Sequence, residues 1–159
     1  MDNPYAPPAS HPAVVQERGE PYTPIWFDAS GRIGRLRYLV YATLPAGLLA
    51  LLLPLILAIP GLAAWPGVVR ALFIGAAVAV LMVMTLRRLR DLALPGWWAL
   101  IVLLPLNFLL VAFLLLRPGD AGWNRYGAPP CENTTMVAAG TWIVLLTAVT
   151  GLASLFDIG

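Results

Sequence analysis

The sequence has no lysine, a single cysteine and a single histidine in 159 residues, and only 11% of it is charged. All ten basic residues are arginine, so Schiff-base lysine chemistry is excluded. Cys131 stands alone, which excludes an internal disulfide and a thiolate metal cluster; it reads as an ordinary loop residue. His11 lies in a proline-rich stretch without neighbouring ligand types and reads as solvated. A water-soluble domain carries about 25% charged residues, roughly twice the fraction here. What is abundant is apolar: 60% of the residues are hydrophobic, the mean hydropathy is +0.80, and the apolar residues come in long runs. The expected fold class is therefore all-α, a polytopic membrane bundle of about four helices. The net charge of +2 is small and the arginines sit beside apolar runs, so no nucleic-acid partner is expected. No cofactor and no metal is expected either.

Residues 1–25 hold Pro4, Pro7, Pro8, Pro12, Pro21 and Pro24 without an apolar period, and read as a disordered cytoplasmic tail. They do not resemble a secretory signal, and the first apolar run should act as an uncleaved anchor. Residues 26–131 form a core with three hydrophobic segments, 38–59, 68–86 and 97–116; residues 132–159 add a further transmembrane helix. Pro45 and Pro54 lie inside the first segment, where neighbouring helices can satisfy the interrupted turn. Trp65, Trp97 and Trp98 fit interfacial anchors. Asn107, the one strongly polar side chain at mid-depth, reads as a helix-packing group.

Two paths fit the third segment. Its length of roughly 20 residues favours a crossing. Seven arginines then lie on the side of the tail and three on the other. If the segment folds back at Pro105-Leu106-Asn107, the division becomes nine against one, with the carboxyl terminus on the far side. In both cases the amino terminus is cytoplasmic.

Polar chemistry is confined to three clusters at segment ends. The first, Phe27 to Tyr38, carries Arg32, Arg35 and Arg37 and reads as a short interfacial helix on which Arg32 and Arg35 share a face. The second is a charged turn, Arg87-Arg88-Leu89-Arg90-Asp91. Its spacing permits an Arg87–Asp91 or Arg88–Asp91 pair, which at a surface contributes only tenths of a kcal/mol, roughly. The third, Arg117 to Gly127, is a glycine-rich tight turn presenting Asn124, Arg125 and Tyr126. It lacks the lysine and hydroxyl of a phosphate-binding loop.

Together these motifs resemble the family of small bacterial inner membrane proteins designated domain of unknown function 805. Gly31-Arg32 with Arg35 and Tyr38 precede the first span. Arg87-Arg88-Leu89-Arg90-Asp91 with Gly96-Trp97-Trp98 is similar to the family's Arg-Arg-Leu-His-Asp and Gly-Trp-Trp. Pro118 to Gly127 is similar to its Pro-Gly-x-x-Gly-x-Asn-Arg-Tyr-Gly turn. Arg90 stands where the family has histidine, which removes a proton-linked group from that position. The resemblance implies an architecture and an inner-membrane location, and no activity.

Three functions remain open. The first is a non-catalytic membrane component. It would bind anionic lipid or a protein partner, a second copy included, through Arg32, Arg35, Arg37, Arg87, Arg88, Asp91, Asn124, Arg125 and Tyr126. The second is a transporter or channel subunit, for which the spans lack mid-depth acids. The third is a membrane enzyme handling phosphate, with Arg88, Asp91, Asn124 and Arg125 converging on one site if the third segment folds back.

Overall fold

The computed structural model describes residues 22–25 and 28–156. The proline-rich stretch 1–21 with His11, Trp26 and Phe27, and Asp157 lie outside the described residues. The chain is helical, in the order α1 (Arg35–Leu57), α2 (Pro60–Ala63), α3 (Pro66–Asp91), a 3₁₀ helix (Gly96–Leu103), α4 (Asn107–Leu116) and α5 (Thr135–Phe156). This is the helical membrane bundle expected. α1 and α3 are long and apolar enough to cross a membrane, and they turn most of their apolar side chains outward. Leu51, Leu72 and Ile74 are 67%, 68% and 63% exposed. The core helix of a soluble protein would bury such residues; helices whose outer solvent is lipid have no reason to.

Both helices extend further than the hydrophobic runs suggest. α1 starts at Arg35 and runs through Pro45 and Pro54, and α3 continues through the arginines to Asp91. The charged turn expected at 87–91 is thus the last turn of α3, because nothing before Ala93 opposes helix. Ala93 takes the left-handed conformation (φ 52°), and the Leu94 amide returns to the Leu89 carbonyl, closing the helix. At the other motif the expected shared face is absent. Gly31 (φ 72°) and the extended Gly34 keep Arg32 outside the helix, whereas Arg35 opens it.

The third segment folds back. Its two arms are a 3₁₀ helix of eight residues and α4 of ten. At about 2.0 and 1.5 Å per residue each reaches roughly 15 Å, half of a hydrocarbon core. They meet at Pro105, where the Asn107 amide side chain donates across the tip to the Val102 carbonyl (3.2 Å). Asn107 therefore fastens its own hairpin rather than a neighbouring helix. Both hairpin ends lie where α3 ends: the Asp120 amide donates to the Asp91 carbonyl (2.9 Å), and Arg88 reaches the carbonyls of Leu114 and Arg117. Trp98 sits inside this hairpin against Trp97 and Phe113, with ring centroids at 5.8 and 6.2 Å; Trp97 and Trp65 are exposed.

α5 leaves from the same end and runs parallel to α1. A side chain at Gly140 would come within 2.8 Å of Val40, so glycine permits the close approach there. The well-packed core is concentrated at this arginine-bearing end, around Ile33, Tyr38, Leu89, Leu92 and Leu114. The Tyr38 hydroxyl and Thr85 Oγ1, 3.2 Å apart, join α1 to α3 within it.

Candidate functional site

The three arginine-bearing clusters meet. At their centre is Asp91, at the end of α3, with 2% exposure. One carboxylate oxygen accepts from Arg32 Nε at 3.2 Å and lies 3.1 Å from Arg32 Nη2; the other accepts from Arg88 Nη1. Arg32 and Arg88 are both fully buried. Of the two pairs the sequence spacing allows, the Arg88–Asp91 pair forms. It is not the weak surface pair expected of a charged turn, because water is excluded from all three groups. Gly119 lies directly on this triad, and any side chain there would overlap the Asp91 carboxylate.

The arginines also hold backbone. Arg32 Nη1 donates to the carbonyls of Gly122 (2.7 Å) and Gly127 (3.1 Å), and Nη2 to that of Asp120. Arg88 Nε donates to Leu114 O at 2.9 Å, and its Nη2 to Arg117 O; this places a cation on the carbonyls that end α4. Arg37 fixes the start of α5 through the carbonyls of Cys131 (2.7 Å) and Glu132 (2.6 Å). The Asn-Arg-Tyr triplet closes the end of α3. Asn124 Nδ2 donates to Arg90 O (2.9 Å), Arg125 Nη2 to Ala93 O (2.9 Å) and the Tyr126 hydroxyl to Leu94 O (3.2 Å). The turn that carries them is tight, as expected: Asn124 and Gly127 exchange backbone bonds, with Gly127 at φ 113°.

A strap of chain crosses this end. The Tyr22 amide donates to Pro129 O (3.1 Å) and its carbonyl accepts from Cys131 N–H (2.9 Å), so the last residues of the expected tail are docked here. The Tyr22 hydroxyl donates to Asp28 Oδ2 (2.6 Å), and the amide and hydroxyl of Ser30 donate to Asp28 Oδ1 at 2.7 and 2.6 Å. These bonds, with Ser30 foremost and then Tyr22, lower the Asp28 pKa to about 2. Asp28 is thus a carboxylate at neutral pH and holds the turn as an acceptor. Burial, followed by the same Asp28 bond, raises the Tyr22 pKa. Arg87 is buried and donates through Nη1 to Ile25 O (3.0 Å). Its Nε and Nη2 have no hydrogen-bond partner among the described residues.

One arginine of the set is different. Arg35 is exposed and, among the described residues, makes no hydrogen bond or ion pair. It borders a cavity of about 380 Å³ between the first turn of α1 and the loop 119–133, lined also by Gly34, Arg88, Asp91, Asp120 and Asn133. Gly34 provides no side-chain cap for α1. The fold-back does bring Arg88, Asp91, Asn124 and Arg125 to one end. However, Arg88 and Asp91 are engaged with one another and with backbone, and Asn124 and Arg125 with the end of α3. No group of three or more metal-ligating side chains occurs among the described residues.

Gly119 and Tyr22 were not among the expected site residues. Gly119 had a signal, since it occupies the Pro-Gly step of the turn motif. Tyr22 had none, because the backbone partners that dock it, Pro129 and Cys131, lie more than a hundred positions away. No curated protein and no solved structure matches the chain. The family model described as protein of unknown function (DUF805) matches residues 26–128, the span that contains the buried triad, the folded-back segment and the Asn-Arg-Tyr clamp. The chain belongs to the DUF805 family.

Proposed function

We infer that the chain is a non-catalytic component of the bacterial inner membrane that holds an anionic lipid headgroup at its arginine end. The observation that carries this reading is Arg35, the member of the cluster with an unengaged guanidinium at the rim of a polar cavity. Gly34, Arg35 and Leu36 at the start of α1 line the same cavity, and the first N–H groups of a helix favour phosphate oxygens. Arg32, Arg35 and Arg88 outweigh Asp91 and Asp120 by one positive charge. Arg32, Arg37 and Arg88 hold the fold together, so they set the field at the site rather than contact the ligand. Asn124, Arg125 and Tyr126 act the same way through the end of α3.

The fold-back supports one orientation. Arg32, Arg35, Arg37, Arg87, Arg88, Arg90, Arg117 and Arg125 gather at one end, and Arg70 stands at the other. The positive-inside rule then places the arginine end in the cytoplasm and the end of α5 outside. In spheroplasts Cys131 is expected to resist an impermeant thiol reagent until the membrane is permeabilised; labelling of intact spheroplasts would reverse the orientation.

The ligand is tested with the full chain in detergent, by native mass spectrometry against phosphatidylglycerol and phosphatidylcholine. Arg35→Ala is expected to lower retention of phosphatidylglycerol about fivefold, the effect of one arginine beside an anionic lipid surface, with helicity and Tm unchanged. Equal retention by Arg35→Ala and the unmodified chain sinks the reading.

A further inference from the structure

α5 lies beyond the residues that match the family, yet it forms one wall of a groove on the bundle. From the tight contact at Gly140 the two parallel helices α1 and α5 diverge. Between them lies a cleft of about 600 Å³, lined by Thr43, Leu44, Gly47 and Leu51 on one side and by Ile143, Val144, Thr147 and Ala148 on the other. That volume is within the usual range of ligand pockets, about 300–1,000 Å³. The lining from Thr43 to Leu51 extends about 12 Å along α1.

Two observations define the occupant. The first is polarity. Thr43 Oγ1 donates to Leu39 O (2.6 Å) and Thr147 Oγ1 to Ile143 O (2.8 Å), so both hydroxyls are turned back onto their own helices. The cleft therefore offers an occupant no free hydroxyl and little besides methyl and methylene groups. The second is position. Arg35, Leu39 and Thr43 follow one another at i, i+4 and i+8 on α1, beside the Val40–Gly140 contact, so the Thr43 edge of the cleft lies about 12 Å along the helix from Arg35. One stripe of α1 thus has an apolar cleft in the membrane-embedded part and an unengaged cation at its polar end.

We propose that the α1–α5 seam is a binding site for one anionic phospholipid, with an acyl chain in the Thr43–Ala148 cleft and the headgroup phosphate at Arg35. The proposal rests on the headgroup reading above and adds the acyl site, which the appended helix creates. A polar ligand finds no free side-chain donor in the cleft, and an uncharged chain leaves Arg35 unanswered; an anionic lipid satisfies both.

The test uses the full chain in nanodiscs with trace phosphatidylglycerol or phosphatidylcholine carrying a photoreactive group in the acyl chain. Cross-links from the phosphatidylglycerol probe are expected to concentrate on 43–51 and 143–148, about fivefold above the phosphatidylcholine probe. Gly47→Phe places a ring at the cleft from a position where nothing lies within 4 Å of a Cβ. It is expected to abolish the concentration while phosphatidylglycerol retention at Arg35 persists. Arg35→Ala is expected to keep the cleft cross-links and remove the headgroup preference.

Cross-links spread evenly over Leu51, Leu72 and Ile74 would overturn the acyl site. So would cross-links indifferent to Gly47→Phe. A Gly47→Phe variant that changes the particle mass without changing the cross-links would also overturn it, because a helix of a second copy then occupies the cleft. Cleft cross-links that depend on Gly47 but show no headgroup preference in the unmodified chain overturn the Arg35 reading and leave the acyl site standing.

Discussion

Asp91→Ala is expected to destabilise the chain by about 3–5 kcal/mol, because it leaves Arg32 and Arg88 buried side by side without a counter-charge. For a chain of this length that corresponds to a fall in Tm on the order of 10 °C. Asp91 is the shared acceptor of two buried cations, and among the described residues neither arginine makes an ion pair with another carboxylate. Thermal unfolding in detergent, followed by circular dichroism, reads the effect. Glu132→Gln is the companion variant. Its side chain is exposed and, among the described residues, in no ion pair, and it should change stability by no more than about 0.5 kcal/mol. Equal melting of the two variants would mean that the buried triad contributes nothing to the fold.

Arg32→Lys should fail despite keeping the charge. Arg32 addresses Asp91 and the carbonyls of Asp120, Gly122 and Gly127 from one planar group. A lysine ammonium is a single point with three donors and cannot reach acceptors spread around that plane. Losing two charge-assisted bonds at about 1.5 kcal/mol each raises opening of the 117–130 loop about a hundredfold. Hydrogen exchange at the Asp120 and Gly127 amides is the direct readout, since they donate to Asp91 O and Asn124 O within that loop. Arg35→Lys, in contrast, should leave both amides protected. If Arg32→Lys exchanges like the unmodified chain, the guanidinium fork is not what holds the loop.

These two variants also test why the three arginine-bearing clusters act as a set. Asp91 needs two guanidinium partners, Arg32 needs a loop that presents three carbonyls, and the loop needs Gly119 to lie against Asp91. Each motif is the binding site of another. The same arrangement separates the arginines by role. Those within the knot cannot reach a ligand without leaving the loop and helix ends uncapped, whereas Arg35 is outside the knot and can.

The solvent was legible from the chain alone. Runs of apolar residues long enough for a bilayer need no tertiary contact to be recognised, and α1 and α3 follow them. The tight turn at Asn124–Gly127 was legible from its glycines. The Arg88–Asp91 pair was among the spacings considered, because three residues on a helix bring two side chains together whatever surrounds them. The depth of that pair was not legible, and depth decides whether it contributes tenths of a kcal/mol or several. Burial of Arg32 and Arg88 depends on a loop that docks from some 30 to 90 positions further along the chain, and Arg87 meets Ile25, 62 positions earlier.

The path of residues 97–116 was undecided for the same reason. By length they could cross, and Pro105 alone does not forbid it. Only the docking of Asp120 on Asp91, and of Arg88 on the end of α4, brings the second arm back. Composition and local spacing therefore determined which segments prefer lipid and where the polar groups collect. Tertiary structure decided which arginines became internal fasteners, because that division depends on long-range packing that buries Arg32, Arg87 and Arg88 and leaves Arg35 exposed.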